Sequence, residues 1–218
     1  MQNSIITEEA ILQLRISAVE GMSDKRRIHT LAVEQMAMRL GAIYAPDKIN
    51  ILRAAALLHD ITKEIKLEGQ LELCRKYGIS FSNQDIFAPK TFHAKTAAAM
   101  IEGSFKEYAN EEVVSAVRWH TTGRAGMTMC EKLIYLADYI DDSRKFPDCV
   151  KLRDYFWGAN IANMTSSEKE DHLRDTLILS FDMTIRNLVD ENSLVAKDTF
   201  DARNELICER LMAKELKD

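Results

Sequence analysis

Six side chains could do chemistry together. They are His29, the adjacent pair His59 and Asp60, His93, His120 and Asp138. His59 and Asp60 end an apolar run, "AALLHDITKE", with Lys63 one turn further on. His29 shares a helical face with Ala32, Val33 and Met36, and His93 with Ala97 and Met100. His120 follows Ala116, Val117 and Val113 at helical spacing, and Asp138 follows Ile134 and Tyr135. A residue three or four positions from apolar neighbours faces the core side of its helix. Four imidazoles and two carboxylates therefore point inward. The fifth histidine, His172, lies in "KEDHLRD" and reads as solvated.

Each of the six has a plain structural explanation when taken alone. An inward histidine is commonly hydrogen-bonded within the core, His59-Asp60 suits a capped helix end, and Asp138 has Arg118 or Lys132 as a pairing partner. Together they would need separate partners, because a buried carboxylate must be paired or coordinated. A shared metal centre satisfies all six at once. Imidazole nitrogen mixed with carboxylate oxygen suits iron, manganese, cobalt or zinc. Six ligands exceed the need of one ion with an open position, so two ions bridged by a carboxylate fit better, and Asp60 is the natural bridge. Such a pair clamps a phosphate and makes a nucleophile of water near neutral pH.

The elements that must position these groups are helices. Three prolines and eight glycines in 218 residues leave little punctuation, and the apolar spacing is helical almost throughout. Thr7 caps a first helix ended by Gly21, and Ser23 caps a second closed at Gly41. Pro46 opens a third that reaches His59. Further helices are expected over 67–77, 91–101, 111–120, 128–141, 150–157, 167–189 and 199–214, with "SFSNQDIFAPK" as a loop. The expectation is one all-α domain over 1–218, its core at about 24–190 and its last helix packed on that core.

A net charge of −5 makes nucleic acid an improbable partner, while leaving local cations free to hold a phosphorylated small molecule. Cys74, Cys130, Cys149 and Cys208 form no CxxC and read as the reduced thiols of a cytoplasmic protein. The N-terminus shows no secretory pattern, and apolar runs fall far short of the ~20 residues of a membrane-spanning helix.

The order His29, His59-Asp60, Asp138 resembles the signature of the HD-domain phosphohydrolase superfamily, whose members are all-helical. His93 and His120 look like the additions that mark its dinuclear members. "LLHDITK", "FHAKTAA", "RWHTTGRAGMT" and "KLIYLADYIDDSRKFPD" are similar to the bacterial YqeK-type HD proteins over roughly residues 24 to 205. That resemblance implies symmetrical hydrolysis of dinucleoside tetraphosphates, diadenosine tetraphosphate giving two ADP, at a di-iron centre, and it suggests a homodimer. It implies that His29, His59, Asp60 and Asp138 hold one ion, and that Asp60, His93 and His120 hold the other. Asp60, Lys63 and Asp138 then carry catalysis through a metal-bridging hydroxide. Lys63, Thr121, Thr122, Gly123 and Arg144 contact substrate. The family's usual Glu-Pro is replaced here by Asp141-Asp142, and its usual glycine by Asp148; neither change touches a ligand on this reading.

Plainer readings stand beside these. Lys63 suits a solvated position past a helix end, Arg144 an answer to nearby aspartates, and Thr121-Thr122-Gly123 a helix stop. Phe156 and Trp157 read as core, and Arg26 and Arg27 as solvated. The alternative functions are hydrolysis of another nucleotide or alarmone, and a non-catalytic nucleotide sensor.

Overall fold

The computed structural model describes residues 5–215. They form eleven helices and no strand among the described residues: α1 (Glu8–Val19), α2 (Asp24–Tyr44), α3 (Ile49–Leu58), α4 (Leu67–Lys76), α5 (Asn83–Phe87), α6 (Phe92–Ser104), α7 (Glu111–Trp119), α8 (Met129–Ile140), α9 (Pro147–Gly158), α10 (Ser166–Asp190) and α11 (Lys197–Glu215). Hydroxyl caps start several of them. Thr7 accepts from the Ala10 amide and Ser23 from the Arg26 amide, each at 3.2 Å. Thr128–Glu131 and Thr165–Glu168 form reciprocal capping boxes at α8 and α10.

α3 is the axis of the bundle. Every residue from Leu52 to Leu58 is buried, and α1, α2, α7 and α8 all pack on it. Ala54, Ala55 and Ala56 let those helices come close, while Leu57 and Leu58 contribute roughly 1.5–3 kcal/mol each through burial. Arg53, also buried, ties three helices together: its Nε donates to Glu34 on α2 at 3.0 Å and its Nη1 to Glu8 on α1 at 2.6 Å. The end of this central helix therefore emerges in the middle of the molecule, which is where the chain places His59 and Asp60.

Buried apolar side chains from Ile11 on α1 to Leu206 on α11 make one contiguous cluster. α11 packs along α10, with Ala202 and Leu206 buried and Arg203 Nε donating to Asp182 at 2.5 Å.

Three local expectations change. Gly41 does not close α2, which runs on to Tyr44. A Cβ at Gly41 would lie 2.6 Å from Leu52 Cδ1 and 2.8 Å from Ile49 Cδ1, so the glycine serves the close approach of α2 to α3. Pro46 opens a 3₁₀ turn ahead of α3 rather than α3 itself. The expected loop at 80–90 contains α5, started by a Ser82–Asp85 capping box too short to register as periodicity.

Candidate metal centre

Most of the six donors sit where helices begin or end. His59 caps the C-terminus of α3, with Asp60 next, and His120 caps α7. His93 is the second residue of α6, His29 lies in the second turn of α2, and Asp138 in the last turn of α8. At a helix C-terminus the last carbonyls have no intrahelical partner. His59 Nδ1 meets the Ala56 carbonyl at 2.6 Å and His120 Nδ1 meets the Val117 carbonyl at 2.7 Å. Each carbonyl accepts the Nδ1 proton, so the Nε2 of both rings points into the centre.

All six side chains converge. His29 Nε2 is 3.0 Å from Asp138 Oδ1 and 3.6 Å from Asp60 Oδ2, and His59 Nε2 is 3.4 Å from Asp60 Oδ2 and 3.7 Å from Asp138 Oδ1. The other oxygen of Asp60 faces elsewhere: Oδ1 is 3.2 Å from His93 Nε2 and 3.7 Å from His120 Nε2. Asp60 thus divides its two oxygens between two pairs of histidines, as a bridging carboxylate must.

The donor atoms fit cations. His29 Nε2, His59 Nε2 and Asp60 Oδ1 are buried without a hydrogen-bond partner, an arrangement that costs roughly 1–3 kcal/mol per group. His93 Nε2 and His120 Nε2 face one another at 3.0 Å, with His120's proton already committed to Val117. Two clusters have metal-ligating spacing, His29–His59–Asp138 and His59–Asp60–His120. They share His59, which the family resemblance assigns to one ion only, with His29, Asp60 and Asp138.

Electrostatics separate the two halves. Burial works against charge on His59, but Asp60 and Asp138 outweigh it and raise the imidazole pKa to about 10. His29 is raised as well: burial opposes, and Asp138 with Asp141 prevails. Burial dominates for His93, lowered to about 4, and for His120, also lowered. Burial disfavours charge on Asp60 and Asp138 too. Even so, the surrounding histidines, and for Asp138 the Arg144 guanidinium, hold both carboxyls well below the usual range.

Several neighbours differ from expectation. Arg26 is not merely solvated, because its Nη1 pairs with Asp60 Oδ2. Asp138 pairs with Arg144 Nη2 at 2.5 Å, not with Arg118 or Lys132. The substitution at 141 does touch a proposed ligand: Asp141, fully buried, sets Oδ2 3.2 Å from His29 Nδ1 in an off-line contact. His172 is half-buried, its Nε2 3.0 Å from the Phe156 carbonyl and its ring stacked on Phe156. Sequence spacing held signals for two of these. Arg26 precedes His29 by three positions and Asp141 follows Asp138 by three, which puts each on its neighbour's helical face.

The candidate substrate residues divide. Lys63 is half-buried with Nζ 3.0 Å from His93 Nε2, and burial lowers its pKa. Thr121 Oγ1 is 3.2 Å from both His93 Nε2 and His120 Nε2. Thr122 is buried and donates to the Gly123 carbonyl at 2.9 Å. Gly123 has φ +63°, and a Cβ there would meet Phe181 and Ala202, so the turn itself calls for a glycine. Phe156 is core, as the plainer reading had it.

A cleft of about 780 Å3 opens over the His29 side of the centre. Five cations line it: Lys25, Arg26, Lys63, Arg144 and Lys145. Ile28 and Phe146, both exposed, complete its wall. Of these, the sequence points to Lys63 and Arg144; Lys25 and Lys145 lie on the rim and carry no apolar spacing. No described helix is long and apolar enough to cross a membrane.

The model of the HD domain matches residues 26–142, the segment that carries all six donors. A symmetrical bis(5'-nucleosyl)-tetraphosphatase of Halalkalibacterium halodurans is 30% identical over 191 residues, 87% of this chain and 92% of its own length. One of Staphylococcus aureus is 33% identical over 69% of this chain and 76% of its own. A solved structure from Clostridium acetobutylicum, described as a predicted HD superfamily hydrolase involved in NAD metabolism, superposes with a TM-score of 0.76 at 29% identity. It covers 90% of this chain and 96% of that one. A helical bundle that brings its histidines and aspartates together in this order, with relatives matched over most of their length, places the chain in the HD-domain family of metal-dependent hydrolases.

Proposed function

We propose that this protein hydrolyses dinucleoside tetraphosphates symmetrically, cutting diadenosine tetraphosphate to two ADP. The observation that carries the reading is the division of Asp60: Oδ1 faces His93 and His120, and Oδ2 faces His29 and His59. His29, His59, Asp60 and Asp138 would hold one transition-metal ion, and Asp60, His93 and His120 a second, iron being the leading identity. Ions held there would supply neutralisation of phosphate oxygens and activation of water as nucleophile near neutral pH.

The chain's own residues do the rest. A tetraphosphate is densely anionic, and the five cations of the cleft draw it in despite the net charge of −5. Arg26 and Arg144 are already oriented by Asp60 and Asp138, so little rotamer entropy is lost when their free N–H groups meet phosphate. Lys63, held beside His93, balances charge that develops on the departing diphosphate. The oxygen delivered by water joins the second phosphorus, the bridging bond to the third breaks, and ADP leaves without needing a strong acid.

The test is product analysis. Metal-loaded protein incubated with diadenosine tetraphosphate should yield ADP alone. AMP with ATP, or no turnover despite tight binding, overturns the assignment.

A further inference from the structure

A second cavity lies beside the centre, and neither the donors nor the cationic cleft accounts for it. Thr121, whose hydroxyl touches His93 and His120, is also a wall of a separate pocket of about 380 Å3. That volume lies within the roughly 300–1,000 Å3 usual for small-molecule sites. α5, α10 and the segment entering α11 close it, contributing Phe87, Thr184, Leu188, Leu194 and Thr199. Its character is opposite to that of the cleft: among the described residues, Lys90 is its only charged lining residue. Phe87 and Leu194 are left 76% and 48% exposed beside it, large apolar faces with nothing packed over them.

The two cavities share no lining residue. The cleft reaches His29 and Lys63, and the pocket reaches Thr121. A ligand laid across the centre therefore passes from a cationic surface into an apolar, hydroxyl-lined one. Polyphosphate suits only the first. A nucleobase, with its apolar faces and polar edge, suits the second, and the Thr121, Thr184 and Thr199 hydroxyls both donate and accept.

Resting on the activity proposed above, we infer that this pocket seats one nucleobase of the substrate, with Phe87 stacking on it. A symmetrical molecule is thus read by an asymmetric site: one half is anchored by its base and the other by its phosphates.

Two variants test this, Phe87→Ala at the exposed mouth and Leu188→Trp to fill the interior. Diadenosine tetraphosphate turnover, ADP binding by calorimetry and metal content are measured, with inorganic tetraphosphate as a base-free competitive inhibitor. Phe87→Ala should raise the KM for diadenosine tetraphosphate and the Kd for ADP at least about fivefold, the loss expected of a stacking aromatic. Leu188→Trp should raise both tenfold or more. The inhibition constant of inorganic tetraphosphate and the metal content should stay at wild-type values. If Phe87→Ala leaves both nucleotide constants within twofold of wild type, the inference is wrong, whether or not Leu188→Trp folds. An equal weakening of inorganic tetraphosphate also overturns it. Failure of the wild type to form ADP would instead refute the proposed activity, leaving the ADP Kd to judge the pocket alone.

Discussion

Asp141→Asn removes one charge from a fully buried position and keeps its shape. Asp141 Oδ1 accepts both the amide of Ser143, at 2.8 Å, and its hydroxyl. Oδ2 faces His29 Nδ1 at 3.2 Å and Arg144 Nε at 3.3 Å. In the variant the amide oxygen must stay with the two Ser143 donors, because an NH2 group cannot accept from them. The NH2 group is then turned towards His29 Nδ1, donor against donor. His29 relieves that clash by moving its proton to Nε2, the nitrogen that faces Asp60 and Asp138. A ligand in the wrong tautomer binds poorly, and losing such an outer carboxylate weakens metal binding about 10–100-fold. At about 1.4 kcal/mol per tenfold, that is about 1.4–2.8 kcal/mol. Chelator competition on wild type and variant, with bound metal counted per chain, reads this directly. Unchanged affinity for both ions, with the fold intact, would falsify the tautomer argument, and so would a loss of turnover without a loss of metal.

Replacing His93 or His120 by Ala should lower bound metal from about two ions to about one and abolish turnover, while thermal unfolding of the chelated proteins stays cooperative. The two halves should also differ in proton release when metal is added. With its pKa raised to about 10, His59 is protonated at pH 7 and must shed a proton to bind. His93, lowered to about 4, is already neutral there. Affinity on the His29–His59 side should therefore fall about tenfold per pH unit on acidification from 9 to 6, and on the His93–His120 side hardly at all; equal slopes in a pH series of metal titrations would refute this. Gly123→Ala forces a left-handed backbone on a residue whose Cβ would lie 2.6 Å from Phe181 Cζ, and should cost about 2–4 kcal/mol. A calorimetric Tm lower by roughly 4–16 °C checks it. Lys25→Ala and Lys145→Ala, on the exposed rim of the cleft, should each raise KM about 1.5–5-fold at low salt and converge on wild type as salt increases.

Most of the helices, and the faces they turn inward, are legible in the sequence, with the short α5 as an exception. Apolar spacing repeats every three to four residues, and that local rule placed His29, His93, His120 and Asp138 on core faces and His59-Asp60 at the end of the most apolar helix. Caps followed from hydroxyls at Thr7 and Ser23 for the same local reason. Tertiary structure alone decided which inward groups meet. Asp60 turns one oxygen to α2 and the other to α6 and α7 because α3 packs on both α2 and α7, with α6 on α7, and no spacing within α3 encodes that. Arg26, read as solvated, is drawn onto Asp60 by the packing of α2 on α3, and Asp141 comes under His29 by the packing of α8 on α2. The cleft and the pocket are spaces between helices far apart in the chain, and such spaces exist only once the helices have packed. Periodicity reports the direction of a side chain relative to its own helix axis, whereas a site is a distance between axes, and that distance is set by the volumes of every side chain in between.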